Sequence, residues 1–349
     1  MTLQAFISTP LEQAQVDRIR AAFKGRVNVI HEPDLLPPQR YTADHKGEDG
    51  YKRTGAQNDR WLAHLAKADF LWDIPPLSML PSHDLSWFPN LKWVQTTSSG
   101  VGNLIEALNF ESSNIVVTTA KGIHAVPLSE FAMMVILNHI KRHSYLQAEQ
   151  VNHRWQRYCG ESLVGKTVAI IGAGEVGHRV AARCKDFGMN IAAMSRSLTK
   201  TGGERLGYDR VFRREDMADV FAESDVVVLC IPHTPETEKI IDRTLLKAMK
   251  PGCVLINIAR GQVVDEEAMI DELKSKHLGF AALDVATVEP LPAESPLWTL
   301  PNVLISPHSA STVSHENELI ADLFIHNLDC MLNGSHDQMK NRFNFLRGY

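Results

Sequence analysis

The stretch Thr167-Val168-Ala169-Ile170-Ile171-Gly172-Ala173-Gly174-Glu175-Val176-Gly177 decides the fold. An apolar run of strand character ends in Gly172-x-Gly174-x-x-Gly177, and a segment of helical character follows from His178 to Phe187, closed by Gly188. Strand before and helix after is the context in which this glycine spacing binds a dinucleotide. Gly172 allows the tight turn, Gly174 lets the backbone approach a pyrophosphate, and Gly177 lets helix and strand pack closely. The helix N-terminus supplies N–H groups and a positive dipole end for the phosphates. A second strand is expected over Asn190 to Met194.

Outward from this centre, the chain alternates strand and helix patterns. Before the glycine loop, strands are expected at Gln4–Ser8, Val27–Ile30, Asp69–Asp73, Leu91–Thr96 and Ile115–Thr118, with helices at Leu11–Phe23, Trp61–Lys67 and from Asn103. Pro33 to Asp59 breaks the pattern and reads as a long surface loop, a kind of segment that is often functional. After the loop, strands recur at Val226–Ile231, Val254–Ile258, Phe280–Asp284 and Val303–Ser306, so six are expected there. Such alternation implies parallel α/β sheets. Pro127 suits the first turn of a helix over Leu128–Arg142, which is apolar nearly all round and so expected to be buried between domains or subunits. A last helix, His315–Leu332, is expected to return to the first domain.

The chain has 349 residues, 44% hydrophobic and 22% charged, enough for two globular domains. A net charge of −5 argues against general nucleic-acid binding. No apolar run is long enough to span a bilayer, and Met1-Thr2-Leu3-Gln4 does not open a secretory leader. Cys159, Cys184, Cys230, Cys253 and Cys330 are scattered, with no C-x-x-C pair; they read as packing residues of a cytoplasmic protein. His139 and His143 are spaced as helix-face metal ligands, but without H-E-x-x-H they read as surface histidines, and no metal is expected. No G-x-S-x-G elbow is present, against an α/β hydrolase.

Three polar residues follow sheet strands: Arg260 after Asn257-Ile258-Ala259, Glu289 after Asp284-Val285-Ala286-Thr287-Val288, and His308 after Ser306-Pro307. Ligands of open α/β sheets bind outside the carboxyl ends of strands. Any one of the three taken alone also reads as a solvated loop residue. Together they are chemically complete: arginine is a planar fork for a carboxylate, histidine passes a proton near neutral pH, and a carboxylate beside an imidazole favours its protonated form and holds the ring. Beyond the second strand, an NAD enzyme carries an acid for the ribose 2′-hydroxyl. Here stand Ser195-Arg196-Ser197, followed by Thr199 and Lys200, so NADP(H) is favoured and NAD(H) is the alternative.

These motifs, with Pro232-His233-Thr234-Pro235-Glu236-Thr237, Ala282-Leu283-Asp284-Val285, Glu289-Pro290-Leu291 and Ser295-Pro296-Leu297-Trp298, resemble the D-isomer-specific 2-hydroxyacid dehydrogenases from about Leu91 to Leu332, and more weakly before that. The Trp72-Asp73-Ile74-Pro75-Pro76 pattern is similar to the NADP-type glyoxylate/hydroxypyruvate reductase branch. The resemblance implies a doubly wound Rossmann domain, residues 119–310, inserted into a smaller flavodoxin-like α/β domain made of residues 1–118 and 311–349 that binds substrate. It implies a homodimer and a small 2-keto or 2-hydroxy acid as substrate. By the same likeness His308 donates the proton to the keto oxygen, Glu289 is its partner, and Arg260 holds the substrate's carboxylate and carbonyl. Asp284 contacts the nicotinamide carboxamide. Ile231, Pro232, Thr237, Ile258, Ala259 and Ala310 complete the cofactor set with Gly172, Gly174, Glu175, Val176, Gly177, Ser195, Arg196 and Ser197. Ser99-Gly100-Val101 offers backbone N–H groups to the substrate carboxylate, a shape suited to an anion nest, with Trp72 beside it. Two departures leave the substrate open: Ala286-Thr287-Val288 replaces the family's Phe-then-acidic run, and Pro33–Asp59 is long. A dinucleotide-sensing binding protein or corepressor-like module on the same fold is the other functional class.

Overall fold

Two all-parallel sheets carry the chain. The computed structural model describes residues 2–196 and 198–345. The chain forms two compact units, Met1–His124 with Thr312–Tyr349, and Ala125–Ser311. The first holds β1 (Leu3–Ile7), β2 (Val27–Ile30), β3 (Phe70–Trp72), β4 (Trp93–Gln95) and β5 (Val116–Thr118), in the order β2-β1-β3-β4-β5. That is the flavodoxin-like order. The second holds β6 (Thr167–Ile171), β7 (Asn190–Met194), β8 (Arg210–Phe212), β9 (Val226–Leu229), β10 (Cys253–Asn257), β11 (Leu278–Leu283) and β12 (Val303–Ile305), in the order β12-β11-β10-β9-β6-β7-β8. Its strand order reverses between β6 and β9, beside the glycine loop, which makes this a doubly wound sheet.

The second sheet has seven strands where the sequence pattern predicts six. The extra one, β8, is a three-residue edge strand whose first residue is an exposed arginine. So short a strand shows no alternation to read, and a charge at an edge discourages further pairing. Central strands such as β10 are buried along their whole length, as expected where helices cover both faces.

The helix expected over Leu128–Arg142 runs from Ala125 to Ile140. It packs on helix Glu175–Asp186 through Met133 and Cys184, whose sulfurs lie 3.7 Å apart. Within the single chain Met134 and Val126 stay exposed. Arg142 takes a left-handed φ of 53° and a new helix starts at His143. His139 and His143 therefore share no helix face. His139 stacks on Phe280, at 5.6 Å between centroids. Among the described residues no group of His, Cys, Asp and Glu could hold a metal ion, and no helix is long and apolar enough to cross a membrane.

In the first unit, the closing helix Glu316–Leu332 lies on the sheet, with Phe324 between Trp72 and Trp93 at 5.6 and 4.9 Å. The segment read as a loop from Pro33 to Asp59 is shorter, because a helix starts at Gly55. Thr54 caps it and Gln57 answers in a capping box. What remains is built on carboxylates. Asp44, 1% exposed, accepts from Arg40 and from the N–H groups of Lys46 and Gly47, while Glu12 accepts from Ala43 N–H and Gln39.

Glu316 ties the same segment to the helix. Its Oε1 accepts from His45 Nε2 at 3.2 Å and His124 Nε2 at 3.1 Å. Burial works to raise this carboxyl, but the hydrogen bonds and charge of the two histidines outweigh it and bring it to about 2. A depressed carboxyl adds stability above its ordinary value of 4.5 that disappears as pH falls toward 2. The expected size is about 3 kcal/mol. Glu316→Gln should thus lower unfolding free energy near neutral pH by about that much, with the gap to wild type closing across the acid window. Denaturant unfolding at several pH values reads it; a gap that is constant with pH would refute the ion-pair account.

Candidate active site

The loops that follow β6, β7, β9, β10, β11 and β12 all leave the carboxyl-terminal edge of the second sheet, and the candidate residues of that unit stand on them or, as Glu175, Val176 and Gly177 do, on the first turn of the helix after β6. After β6, Gly172 has φ +112°, and a Cβ there would lie 2.7 Å from the Cys230 carbonyl oxygen. At Gly177 a Cβ would lie 2.0 Å from the Gly172 carbonyl oxygen. Both positions are closed to any side chain. Gly174 is different: nothing lies within 4 Å of its Cβ direction. It caps helix Glu175–Asp186 with no side-chain hydrogen bond, and Glu175 and Val176 form the first turn. A tight glycine turn, an open backbone and a helix N-terminus are what a pyrophosphate requires, so these residues fit a dinucleotide.

After β7, Ser195 Oγ accepts from Leu198 N–H at 3.1 Å. Arg213 braces this loop by donating to the Ser195 and Leu198 carbonyls. Arg196 is exposed, and its charge reaches Glu236. Ser197 lies outside the described residues. After β9, Ile231 is buried and Pro232 exposed, and Thr237 Oγ1 donates to the Pro232 carbonyl and accepts from Thr234 N–H, both at 2.8 Å.

Arg260 follows β10. Buried Asn257 shapes its turn, donating to the Arg260 carbonyl at 3.0 Å and accepting from Ala259 N–H at 3.1 Å. Ile258 and Ala259 are buried behind it. A Cβ at Gly261 would lie 1.9 Å from the Ala286 carbonyl carbon, so this turn presses directly on the backbone that leads to Glu289. Burial lowers the Arg260 guanidinium, and the charges of Glu289 and Asp284 oppose it.

Glu289 Oε2 meets His308 Nδ1 at 2.8 Å, and Glu289 Oε1 accepts from Ala286 N–H at 3.1 Å. Burial works to raise the Glu289 carboxyl, but the His308 hydrogen bond and charge, the Ala286 N–H and the charge of Arg260 bring it below its ordinary value. With Nδ1 engaged by the Glu289 carboxylate, Nε2 is the ring nitrogen left for other partners. His308 holds a left-handed φ of 54°, and its N–H donates to the Asp284 and Ser306 carbonyls. Asp284 Oδ1 accepts from Ser306 Oγ, Ser309 N–H and Ala310 N–H at 2.8–2.9 Å. Asp284 therefore builds the loop that aims His308. That role, with those of Asn257, Gly261 and Arg213, was not anticipated from sequence; the available signal was their position inside or beside the strand-end motifs.

In the first unit, Ser99, Gly100 and Val101 follow β4. Among the described residues none accepts a hydrogen bond from their backbone N–H groups. Trp72 needs correction. Its side chain is fully buried against Phe324, with no surface for a substrate, and it is a core residue.

Residues 133–310 match the family model described as "D-isomer specific 2-hydroxyacid dehydrogenase, NAD binding domain". The chain belongs to the D-isomer specific 2-hydroxyacid dehydrogenase family. This places it among NAD(P)-dependent oxidoreductases. A glyoxylate reductase from Thermococcus gammatolerans is 34% identical over 70% of this chain and 75% of its own length. A D-3-phosphoglycerate dehydrogenase from Mycobacterium leprae is 30% identical over 77% of this chain, which spans only 50% of that longer relative. A family structure from Xanthobacter autotrophicus Py2, solved with NADPH and MES, superposes with a TM-score of 0.76 at 25% identity, covering 100% of this chain and 99% of that one.

Proposed function

We propose that this dehydrogenase reduces a small 2-keto acid of the glyoxylate or hydroxypyruvate kind to the D-2-hydroxy acid, using NADP(H). The observation that carries this reading is the His308–Glu289 pair at 2.8 Å on a strand-end loop, within the electrostatic reach of Arg260. When bound, the nicotinamide supplies the hydride; the protein supplies alignment and charge. Arg260 grips the substrate carboxylate and keto oxygen with its planar fork. His308 Nε2 donates a proton to that oxygen as negative charge develops on it. Glu289 stays ionised and balances the imidazolium. In the first unit, Ser99-Gly100-Val101 offers backbone N–H groups suited to a carboxylate as an anion nest. Asp284 sets the loop that carries His308 and would contact the nicotinamide carboxamide once the cofactor is bound.

The preference for NADP(H) rests on Arg196, with Ser195 and Ser197, where an acid would select NAD(H). A charge-assisted hydrogen bond to the 2′-phosphate contributes roughly 1.5–3 kcal/mol, or about 10–10²-fold in affinity. Arg196→Ala should weaken NADPH binding by that factor and leave NADH nearly unchanged. Titrating both cofactors at fixed salt reads it; equal weakening of the two removes Arg196 from phosphate recognition.

A homodimer fits the exposed apolar surface of the second unit. Trp155 is 100% exposed and Val151 77%, which is costly unless a second copy covers them. Light scattering should give twice the chain mass; a monomer at working concentration excludes it. Five free cysteines suit a reducing, cytoplasmic compartment.

A further inference from the structure

Asp73 stands directly after β3, in the first unit, and none of the chemistry above uses it. Its backbone has φ +63°, a left-handed conformation uncommon for a residue with a side chain. The conformation turns the side chain back over the ends of three strands. Oδ1 accepts from its neighbour Ile74 N–H at 2.9 Å and from Thr97 N–H at 3.2 Å. Oδ2 accepts from Thr97 Oγ1 at 2.8 Å and from Thr9 Oγ1 at 3.4 Å. The Asp73 carbonyl accepts from Ser8 Oγ at 2.9 Å. One residue therefore fastens the loops after β1, β3 and β4 together. Thr97, which takes two of these bonds, lies two residues before Ser99. The far side of the same loop is held independently, because the Ser98 carbonyl accepts from Thr96 Oγ1 and Ala120 N–H.

We propose that Asp73 is a positioning residue that fixes the loop Ser99-Gly100-Val101 so that its N–H groups converge on the substrate carboxylate. The inference rests on the ketoacid reading of that loop. It accounts for a carboxylate sited where carboxylates are costly: burial pushes the Asp73 carboxyl up, and the charge of His45 with the bonds from Thr97 and Ile74 pull against that. A half-buried acid that accepts four hydrogen bonds trades desolvation for a defined loop geometry.

Three variants separate positioning from simple stability. Asp73→Gly tolerates the left-handed backbone and removes every side-chain bond. Asp73→Asn keeps an acceptor for the two N–H groups, and its amide donates to the threonine hydroxyls, which rotate to accept. Thr97→Val deletes one donor with little change of shape. The expected results are a KM for the keto acid raised about 10–10²-fold in Asp73→Gly, a rise of about 3–10-fold in Thr97→Val, and near-complete rescue in Asp73→Asn. NADPH affinity should be unchanged in all three. Amide hydrogen exchange of residues 97–101 in the unliganded chain should speed up in Asp73→Gly and not in Asp73→Asn. Unchanged exchange in Asp73→Gly overturns the proposal. So does faster exchange with an unchanged KM, or a loss of NADPH affinity parallel to the loss of substrate affinity. Should Asp73→Gly fail to fold, Thr97→Val decides by the same readings. If the wild-type chain reduces no keto acid, the functional reading fails, while exchange still decides whether Asp73 orders the loop.

Discussion

His308→Asn should lower kcat for ketoacid reduction by about 10²–10⁴-fold, the usual contribution of a positioned general acid, while NADPH binds as in wild type. Asparagine is the informative replacement because it accepts the left-handed backbone at this position, φ +54°. The Asp284 carbonyl and the loop it anchors then survive the substitution, and the loss reports on the proton rather than on the fold. Without an acid at Nε2, the developing alkoxide must take its proton from water. The effect belongs in kcat, since the imidazole contributes most once charge has moved onto the oxygen. A folded variant with near wild-type kcat would remove His308 from the reaction.

Arg260→Ala should reduce kcat/KM by about 10²–10³-fold, the worth of one to two charge-assisted hydrogen bonds. The loss should divide between the two constants. KM rises because the carboxylate loses its fork, and kcat falls because the polarised carbonyl loses a donor. Arg260→Lys keeps the charge without the planar geometry, so it should recover only part of the loss. Its neighbours make the substitution tolerable: Asn257 contacts the Arg260 backbone rather than its side chain, and Gly261 supports the turn from the other side. Steady-state constants for both variants check this. An unchanged kcat/KM in Arg260→Ala would put the guanidinium outside the substrate site.

Much of this architecture could be read from local pattern. The apolar run Thr167–Ile171 followed by three spaced glycines specifies strand, turn and helix within a dozen residues, and β6 matches the expected strand residue for residue. Arg260, Glu289 and His308 were legible because each follows an apolar strand, and strand ends share one edge in a parallel sheet. Features set by distant partners were not legible. Glu316 meets His45 across 271 residues of chain, and no local pattern announces that pairing. Asp73 reads as the end of a strand, yet its role depends on Thr9 and Thr97, brought together only by the sheet order. Trp72 reads as a substrate contact by likeness, yet Phe324, on the last helix, covers it. The helix start at Gly55 was readable in Thr54-x-x-Gln57, but a glycine-rich, charged neighbourhood masked it. Helix His143–Val151 has weak apolar contrast, with only Glu149 buried, so its periodicity carries little signal.

The most direct test of the ketoacid-reductase account is NADPH oxidation by the purified chain with glyoxylate and with hydroxypyruvate, beside His308→Asn at equal concentration. The account predicts oxidation that depends on the keto acid, D-glycerate as the product from hydroxypyruvate, and a rate lost in the variant. Tight NADPH binding with no ketoacid-dependent oxidation, by wild type with either NADPH or NADH, would contradict it.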